Sequence, residues 1–425
     1  MKIKKLTLEN FKGFDNLTLD FNEETTVLFG INGVGKSSIL EAIKLIYSKC
    51  LRHYQLGASN ETNEVTNIKA GELHCSASLL ARIDDKEQKF EVKIENAIGV
   101  VILDASIGEL MKTDTIFEKM ENIPILACYG ANRAIIFDES SYPQGTEHTY
   151  KKEYALINAL APNIAFEDFF KWYREQRELE NDIIVNDDPN YTNLHLEMVK
   201  NSILGFLPGF TDLRIRFLPA RLSAIKDKVD LSINQLSDGE LNILAITADI
   251  ARRLVIANPK LKEPLLGEGL VLIDEVDAHL HPRWQEQILS VLQKTFPHVQ
   301  FIVTTHAPIV MRDYRGQLIE LSINDGKITA DLRPPLYRWD VNHIIETELD
   351  TPVYNLETEG LLLEIFELID TQKYDEAKRK IKKFKEDAAG YPHPEMVRAD
   401  LLLAKGKKCA SDRIPRGQSR NARRK

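Results

Sequence analysis

Residues 30–38 read Gly-Ile-Asn-Gly-Val-Gly-Lys-Ser-Ser, which satisfies the phosphate-loop pattern G-x-x-x-x-G-K-[ST]. Its glycines let backbone amides wrap closely around a phosphate chain, and the dipole of a following helix favours the anion. In that chemistry Asn32, Gly33, Gly35 and Ser38 lie along a bound nucleotide such as ATP, Lys36 reaches the β- and γ-phosphates, and Ser37 ligates Mg²⁺. Two later apolar stretches also end in groups that could work on a phosphate. Gly269-Leu-Val-Leu-Ile-Asp-Glu275 stops at two carboxylates, and Val299-Gln-Phe-Ile-Val-Thr-Thr305 stops at His306.

These residues need strands and helices to aim them. Thr25-Thr-Val-Leu-Phe29 predicts a buried strand, and Ile39, Ala42, Ile43 and Ile46 mark one helical stripe, so the loop lies between a strand and a helix N-terminus, as its mechanism requires. A helix over 284–296 separates the carboxylate and histidine strands, and strand-helix-strand with a ligand group at each carboxyl end predicts a parallel α/β sheet. Upstream, Ile3, Leu6 and Leu8, then Leu17, Leu19 and Phe21, alternate about a Lys12-Gly13-Phe14-Asp15 turn. With strands at 73–83 and 89–94 they predict an antiparallel lobe, with a polar loop over 51–71. Another buried strand is expected at 123–129, and a loop at 138–150.

Phe166, Phe169, Phe170 and Tyr173 stand at helical spacing, which predicts a packed helix over 166–179 and, with a second over 191–206, an inserted helical arm. Strands at 213–217 and 228–233, a long helix through Arg253, and a hairpin at 318–328 follow. Helices are then expected at 356–369, 374–384 and 395–405, the second packing through Ala377, Ile381 and Phe384. The domain scheme is therefore 1–135 and 211–332 as two halves of one α/β head, 136–210 as the arm, 333–408 as a C-terminal helical region, and 409–425 as a basic, disordered tail.

The 425 residues are 43% hydrophobic and carry a net charge of −9, with no apolar run near the roughly 20 residues a membrane span needs. A cytoplasmic protein with no membrane partner is expected. Cys50, Cys75, Cys128 and Cys409 are scattered, which suggests neither a zinc site nor a disulfide framework. Between 405 and 425, nine Lys/Arg face only Asp412, leaving about −17 on the rest. Any nucleic-acid contact would therefore come from local basic patches.

The phosphate loop, then Leu236-Ser-Asp-Gly-Glu240, then the strand to Asp274-Glu275, then Asp277 and the strand to His306, resemble in that order the ATP-binding-cassette ATPase head. The resemblance implies that Asp274 shares Mg²⁺ with Ser37, that Glu275 orients or deprotonates the attacking water, and that His306 hydrogen-bonds the γ-phosphate. It implies too that Asp277 lies by the nucleotide, and that Ser237 and Gly239 cap a γ-phosphate held by a second copy, giving an ATP-sandwiched homodimer or an assembly of dimers. Asp238, where transport proteins usually carry Gly, resembles the RecF/SMC branch.

Tyr129-Gly-Ala-Asn-Arg133, Asp249-Ile-Ala-Arg-Arg253, His279-Leu-His-Pro-Arg-Trp-Gln285 and Gln300-Phe-Ile-Val-Thr-Thr-His-Ala-Pro308 are similar to stand-alone RecF-type ATPases of bacterial defence islands. Over about residues 1–330 the chain resembles the ATPase subunit of Septu and retron-associated Septu-like anti-phage systems, which work with a PtuB-like HNH nuclease subunit. A departure is the Q-loop glutamine, which has no clear equivalent here and leaves Arg133 as the alternative. His279 and His281 belong to the family's ordinary loop after the catalytic Glu rather than to a metal site. Glu357-Thr-Glu-Gly360 resembles the start of a TOPRIM nuclease, but no apolar strand precedes it. The reading is thus an ATPase that controls a separate nuclease, has no nuclease site of its own, and uses its C-terminal helices and basic tail to dock the partner or DNA. The alternative is a RecF/SMC-like DNA-repair or chromosome-maintenance ATPase. A transporter nucleotide subunit fits less well, because the segment between Tyr129 and Asn234 resembles RecF-type heads.

Overall fold

Alternation at the N-terminus becomes two antiparallel strands, β1 (Lys2–Phe11) and β2 (Phe14–Asp20). Ile3 and Leu6 both face the core despite their odd spacing, because a bulge between Ile3 and Lys5 shifts the register. β3 (Thr25–Phe29) follows, buried throughout, and leads through the glycine loop into α1 (Lys36–Cys50), whose Ile39, Ala42, Ile43 and Ile46 are all buried. β4 (His74–Ile83), β5 (Lys86–Ala97) and β6 (Val100–Ser106) complete an antiparallel sheet of order β2-β1-β4-β5-β6. The sixth strand was not expected, since Val100-Val-Ile-Leu-Asp is a continuous apolar run without alternation.

This computed structural model describes residues 1–51, 64–83, 86–97, 100–106, 120–131, 150–161, 163–164, 166–217, 220–337, 339–349, 353–387 and 393–405. The expected loop at 138–150, most of that at 51–71, Arg133 and the basic tail lie outside the described residues.

β7 (Ile125–Tyr129) precedes α2 (Phe166–Asn186) and α3 (Leu194–Phe206). The aromatic stripe of α2 is buried, and both helices pack on a later one, α4 (Asp238–Ala257), inside the main core. Between them β8 (Phe210–Phe217), β9 (Ala220–Lys226) and β10 (Val229–Ser232) form a three-stranded antiparallel sheet. Of these β9 went unpredicted, its alternation blunted by Ser223 and Ala224.

β11 (Gly269–Ile273) ends just before the two carboxylates. The helix expected over 284–296 is instead two, α5 (Pro282–Gln285) and α6 (Ile288–Thr295), joined by a turn at Glu286 and Gln287 whose dihedrals stay in the right-handed helical region. β12 (Val299–Thr305), α7 (Pro308–Asp313), β13 (Gln317–Asn324) and β14 (Lys327–Arg333) follow. The last two form the expected hairpin, turning on Asp325 and Gly326 at φ 50° and 77°. The six-stranded sheet has the order β14-β13-β3-β12-β11-β7, parallel from β13 to β7. β3, β7, β11 and β12 are buried over their whole length, as befits parallel strands covered on both faces.

A further helix, α8 (Val341–Thr347), belongs to the same compact unit, which runs Met1–Leu349. The unit extends beyond residue 332 because Leu336 and Ile344 join its core and Arg333 pairs with Glu320 and Glu348. The second unit holds α9 (Leu356–Asp370), α10 (Tyr374–Asp387) and α11 (Pro394–Lys405) around Leu362, Ile365, Phe366, Ile369, Ala377, Ile381, Met396 and Ala399. Its TOPRIM-like phrase opens α9, with Asn355 capping the Thr358 amide at 2.8 Å. No helix among the described residues is long and apolar enough to cross a membrane.

Two side-chain amides join the antiparallel sheet to the parallel one. Gln300, fully buried on β12, accepts from the Ile3 amide at 2.6 Å and donates to the Ile3 and Asn22 carbonyls at 2.9 and 2.6 Å. Gln317, on β13, accepts from the Asn22 amide and the Thr26 hydroxyl at 2.8 and 2.6 Å and donates to the Asp20 carbonyl of β2 at 2.7 Å. Gln300→Leu strands these buried backbone groups, and urea denaturation should show a loss of about 3 kcal/mol. An unchanged midpoint would mean that water replaces the amide.

Candidate functional site

The sheet order decides what meets. β12 lies between β3 and β11, so the glycine loop, His306 and the Asp274-Glu275 pair leave three adjacent strand ends. Gly35 caps α1 in the left-handed region at φ 89°, where a Cβ would sit 2.6 Å from the Phe14 ring, so only glycine serves. Asn32 and Gly33 are exposed on the loop, and Ser38 is half-buried in the first turn of α1.

Lys36 donates from Nζ to the Gly30 and Ile31 carbonyls at 3.0 and 2.9 Å. Burial pushes its ammonium down to about 8, against the pull of Asp274, Glu275 and Asp277. Ser37 Oγ donates to Asp274 Oδ1 at 3.1 Å. This set fits a magnesium triphosphate. A partly desolvated cation beside a helix N-terminus gains from phosphate charge, and a hydroxyl with a carboxylate supplies the hard oxygen ligands Mg²⁺ takes.

Beyond β11 the chain turns sharply. Glu275 holds φ 48°, an uncommon left-handed conformation for a residue with a side chain. Its amide donates to Thr304 Oγ1 at 2.7 Å, and that hydroxyl donates to Asp274 Oδ1 at 2.5 Å. Next along β12, Thr305 Oγ1 donates to Asp277 Oδ1 and accepts from the Ala307 amide at 3.0 Å. His306 is half-buried between these anchors, and burial with the nearby Lys36 charge lowers its pKa, leaving the imidazole neutral at pH 7. Lys36, Ser37, Asp274, Glu275, Asp277 and His306 therefore form one cluster. Thr304 and Thr305 were not singled out in the sequence. The signal was a polar pair ending an apolar strand, disguised by threonine's strand propensity.

Ser237 and Gly239 belong to a second cluster. Ser237 is the exposed N-cap of α4, in a capping box with Glu240, which also pairs with Lys226 on β9. A Cβ on Gly239 would meet the His279 carbonyl at 2.6 Å and the Trp284 ring at 3.2 Å. Asn242 Nδ2 donates to the Ala278 carbonyl at 3.3 Å. The signature turn is thus packed on the loop that follows Glu275. In that loop His279 is exposed at φ 63°, and His281 caps α5 by accepting from the Arg283 amide at 3.3 Å. Farther along α4, Asp249 receives Arg252, Arg253 and the Tyr129 hydroxyl at 2.8, 2.7 and 2.9 Å. Burial opposes its ionisation, yet the two arginines hold it down at about 2. This buried network fixes α4 against β7.

Residues 2–329 match the model of the RecF/RecN/SMC N terminal domain. The chain is 31% identical to the "Retron Ec83 probable ATPase" of Escherichia coli, over 88% of this chain and 81% of that protein. It is 26% identical to "Septu protein PtuA" of Bacillus thuringiensis, over 83% of this chain and 86% of the relative. Among solved structures, an Smc head bound to the C-winged helix domain of ScpA aligns with a TM-score of 0.50 at 18% identity, covering 79% of this chain and 98% of that one. The matching domain spans most of the chain, and the chain belongs to the RecF/RecN/SMC family of ATPase heads, with the defence ATPases of retron and Septu type among its relatives.

Proposed function

We propose that the protein is an Mg²⁺-dependent ATPase that closes into a homodimer over ATP and governs a partner HNH nuclease in the cytoplasm during anti-phage defence. The carrying observation is the meeting of Lys36, Ser37, Asp274 and Glu275 at adjoining strand ends. The retron and Septu relatives support the defence setting.

The loop amides and Lys36 bind the triphosphate, while Ser37 and Asp274 hold Mg²⁺, which when bound neutralises phosphate charge. Glu275 orients the attacking water and accepts its proton. Neutral His306 donates one ring N–H to the γ-phosphate. Asp277, held by Thr305, lies along the same edge. Ser237 and the first amides of α4 in a second copy complete the γ-phosphate cap, because an exposed helix N-terminus is an anion site. ATP then becomes part of the dimer interface, and its hydrolysis loosens the pair. The helices of residues 356–405 and the basic tail dock the nuclease or DNA, with salt-sensitive phosphate contacts in the latter case.

Ser237→Arg removes the cap hydroxyl and sets a bulky cation at the positive end of α4. Sedimentation with Mg²⁺ and a non-hydrolysable ATP analogue should show the parent pairing and the variant monomeric. Co-purification with the product of the neighbouring gene, which this reading expects to be an HNH nuclease, then DNA cleavage with and without ATP, tests the regulatory half. Full turnover from a strict monomer would contradict the pairing, and an unbound nuclease indifferent to ATP would contradict the partnership.

A further inference from the structure

We propose that Thr304 is a positioning residue for the hydrolytic centre, its one hydroxyl fixing both the metal-ligand carboxylate and the backbone of the general base. The proposal rests on the ATPase reading above and names a residue with no assigned part in it. Thr304 is fully buried and lies on the strand between the glycine loop and the carboxylate pair. The hydroxyl has one proton, which goes to Asp274 Oδ1 at 2.5 Å, where Ser37 Oγ also donates at 3.1 Å. Two donors converging on one oxygen fix the rotation of the Asp274 carboxylate. The hydroxyl's lone pair takes the Glu275 amide at 2.7 Å.

That second bond bears on strain. Glu275 is left-handed at φ 48°, a conformation that persists only where surrounding contacts enforce it. The Thr304 oxygen is one such contact, and the Val276 amide, bonded to the Thr304 carbonyl at 2.9 Å, is another from the same residue. Valine matches threonine in shape but can neither donate to Asp274 nor accept from Glu275. Serine keeps both capacities and loses one methyl. The two substitutions therefore separate the hydroxyl from the packing.

The test compares parent, Thr304→Val and Thr304→Ser as full chains in three readouts: melting temperature, steady-state ATP turnover against Mg²⁺ concentration, and binding of a non-hydrolysable ATP analogue in Mg²⁺ and in EDTA. Partners of metal ligands typically contribute 10- to 100-fold. Thr304→Val should lower kcat by about 100-fold and raise the Mg²⁺ concentration needed for half-maximal analogue binding by about 10-fold. Its binding in EDTA should stay within about twofold of the parent, and Thr304→Ser should recover most of both losses. Valine within about twofold of the parent in kcat and Mg²⁺ requirement would overturn the proposal. So would serine as impaired as valine, or equal weakening in Mg²⁺ and EDTA, since either assigns the effect to packing. A parent without turnover would instead contradict the ATPase reading, while the Mg²⁺-dependent binding would still decide the part played by Thr304.

Discussion

Glu275→Gln should lower ATP turnover by about 100-fold or more while leaving nucleotide affinity within about threefold. The amide keeps the size of the carboxylate and can still touch a water, but it cannot take the proton that water must lose. In the proposed site nothing in ATP binding depends on that proton, since phosphate contacts would fall to Lys36 and the loop amides and metal contacts to Ser37 and Asp274. The backbone at 275 keeps its bond to Thr304, so the local turn survives the substitution. Because binding persists without hydrolysis, the dimer should accumulate in ATP to a level the parent reaches only with a non-hydrolysable analogue. Phosphate release, equilibrium binding and sedimentation read the three consequences. Turnover within about threefold of the parent would remove Glu275 from the chemistry, and lost binding would mean that its main part is structural.

Lys36→Ala should weaken ATP binding by about 100-fold, or about 2.7 kcal/mol. The substitution removes a charged donor at the phosphates and strips the Gly30 and Ile31 carbonyls of their partner. Hydrogen bonds to charged groups contribute about 1.5–3 kcal/mol each, which covers a loss of this size. The parent should also show a pH signature. With its pKa near 8, below the ordinary lysine value, Lys36 in the free protein is largely protonated at pH 7 and largely neutral at pH 9. Bound phosphate raises that pKa, so binding takes up a proton above pH 8. Affinity should therefore be nearly flat from pH 7 to 8 and weaken by up to about tenfold per unit above it. Isothermal titration in buffers of different ionisation enthalpy measures that proton, and Lys36→Ala should abolish its uptake. An alanine variant with parental affinity, or a parent with level affinity to pH 9.5, would contradict this placement of the ammonium.

Much of this centre was legible as text because its local chemistry is sequential. The glycine loop lies between Phe29 and Ile39, and Asp274-Glu275 and His306 each end an apolar run. The aromatic spacing of α2 and the alternation about Lys12 also predicted real elements. The order of strands did not follow from the chain, since five parallel strands can be arranged in many ways. Only β12 between β3 and β11 brings Thr304 to Asp274. The bond from Gln300 to Ile3, nearly three hundred residues away, was hidden for the same reason. The two-residue turn at Glu286 and Gln287 escaped because the chain there keeps helical dihedrals and the flanking apolar residues keep helical spacing, and β6 and β9 lack clean alternation.

The close approach of Gly239 to the His279 carbonyl, joined by the bond from Asn242 to Ala278, ties the start of α4 to the loop that follows Glu275. In the proposed pair, a copy that grips its neighbour's triphosphate with α4 would press on the segment leading back to its own Glu275. If the proposed pair forms, hydrolysis in one half would reach the other through a lever only a few residues long.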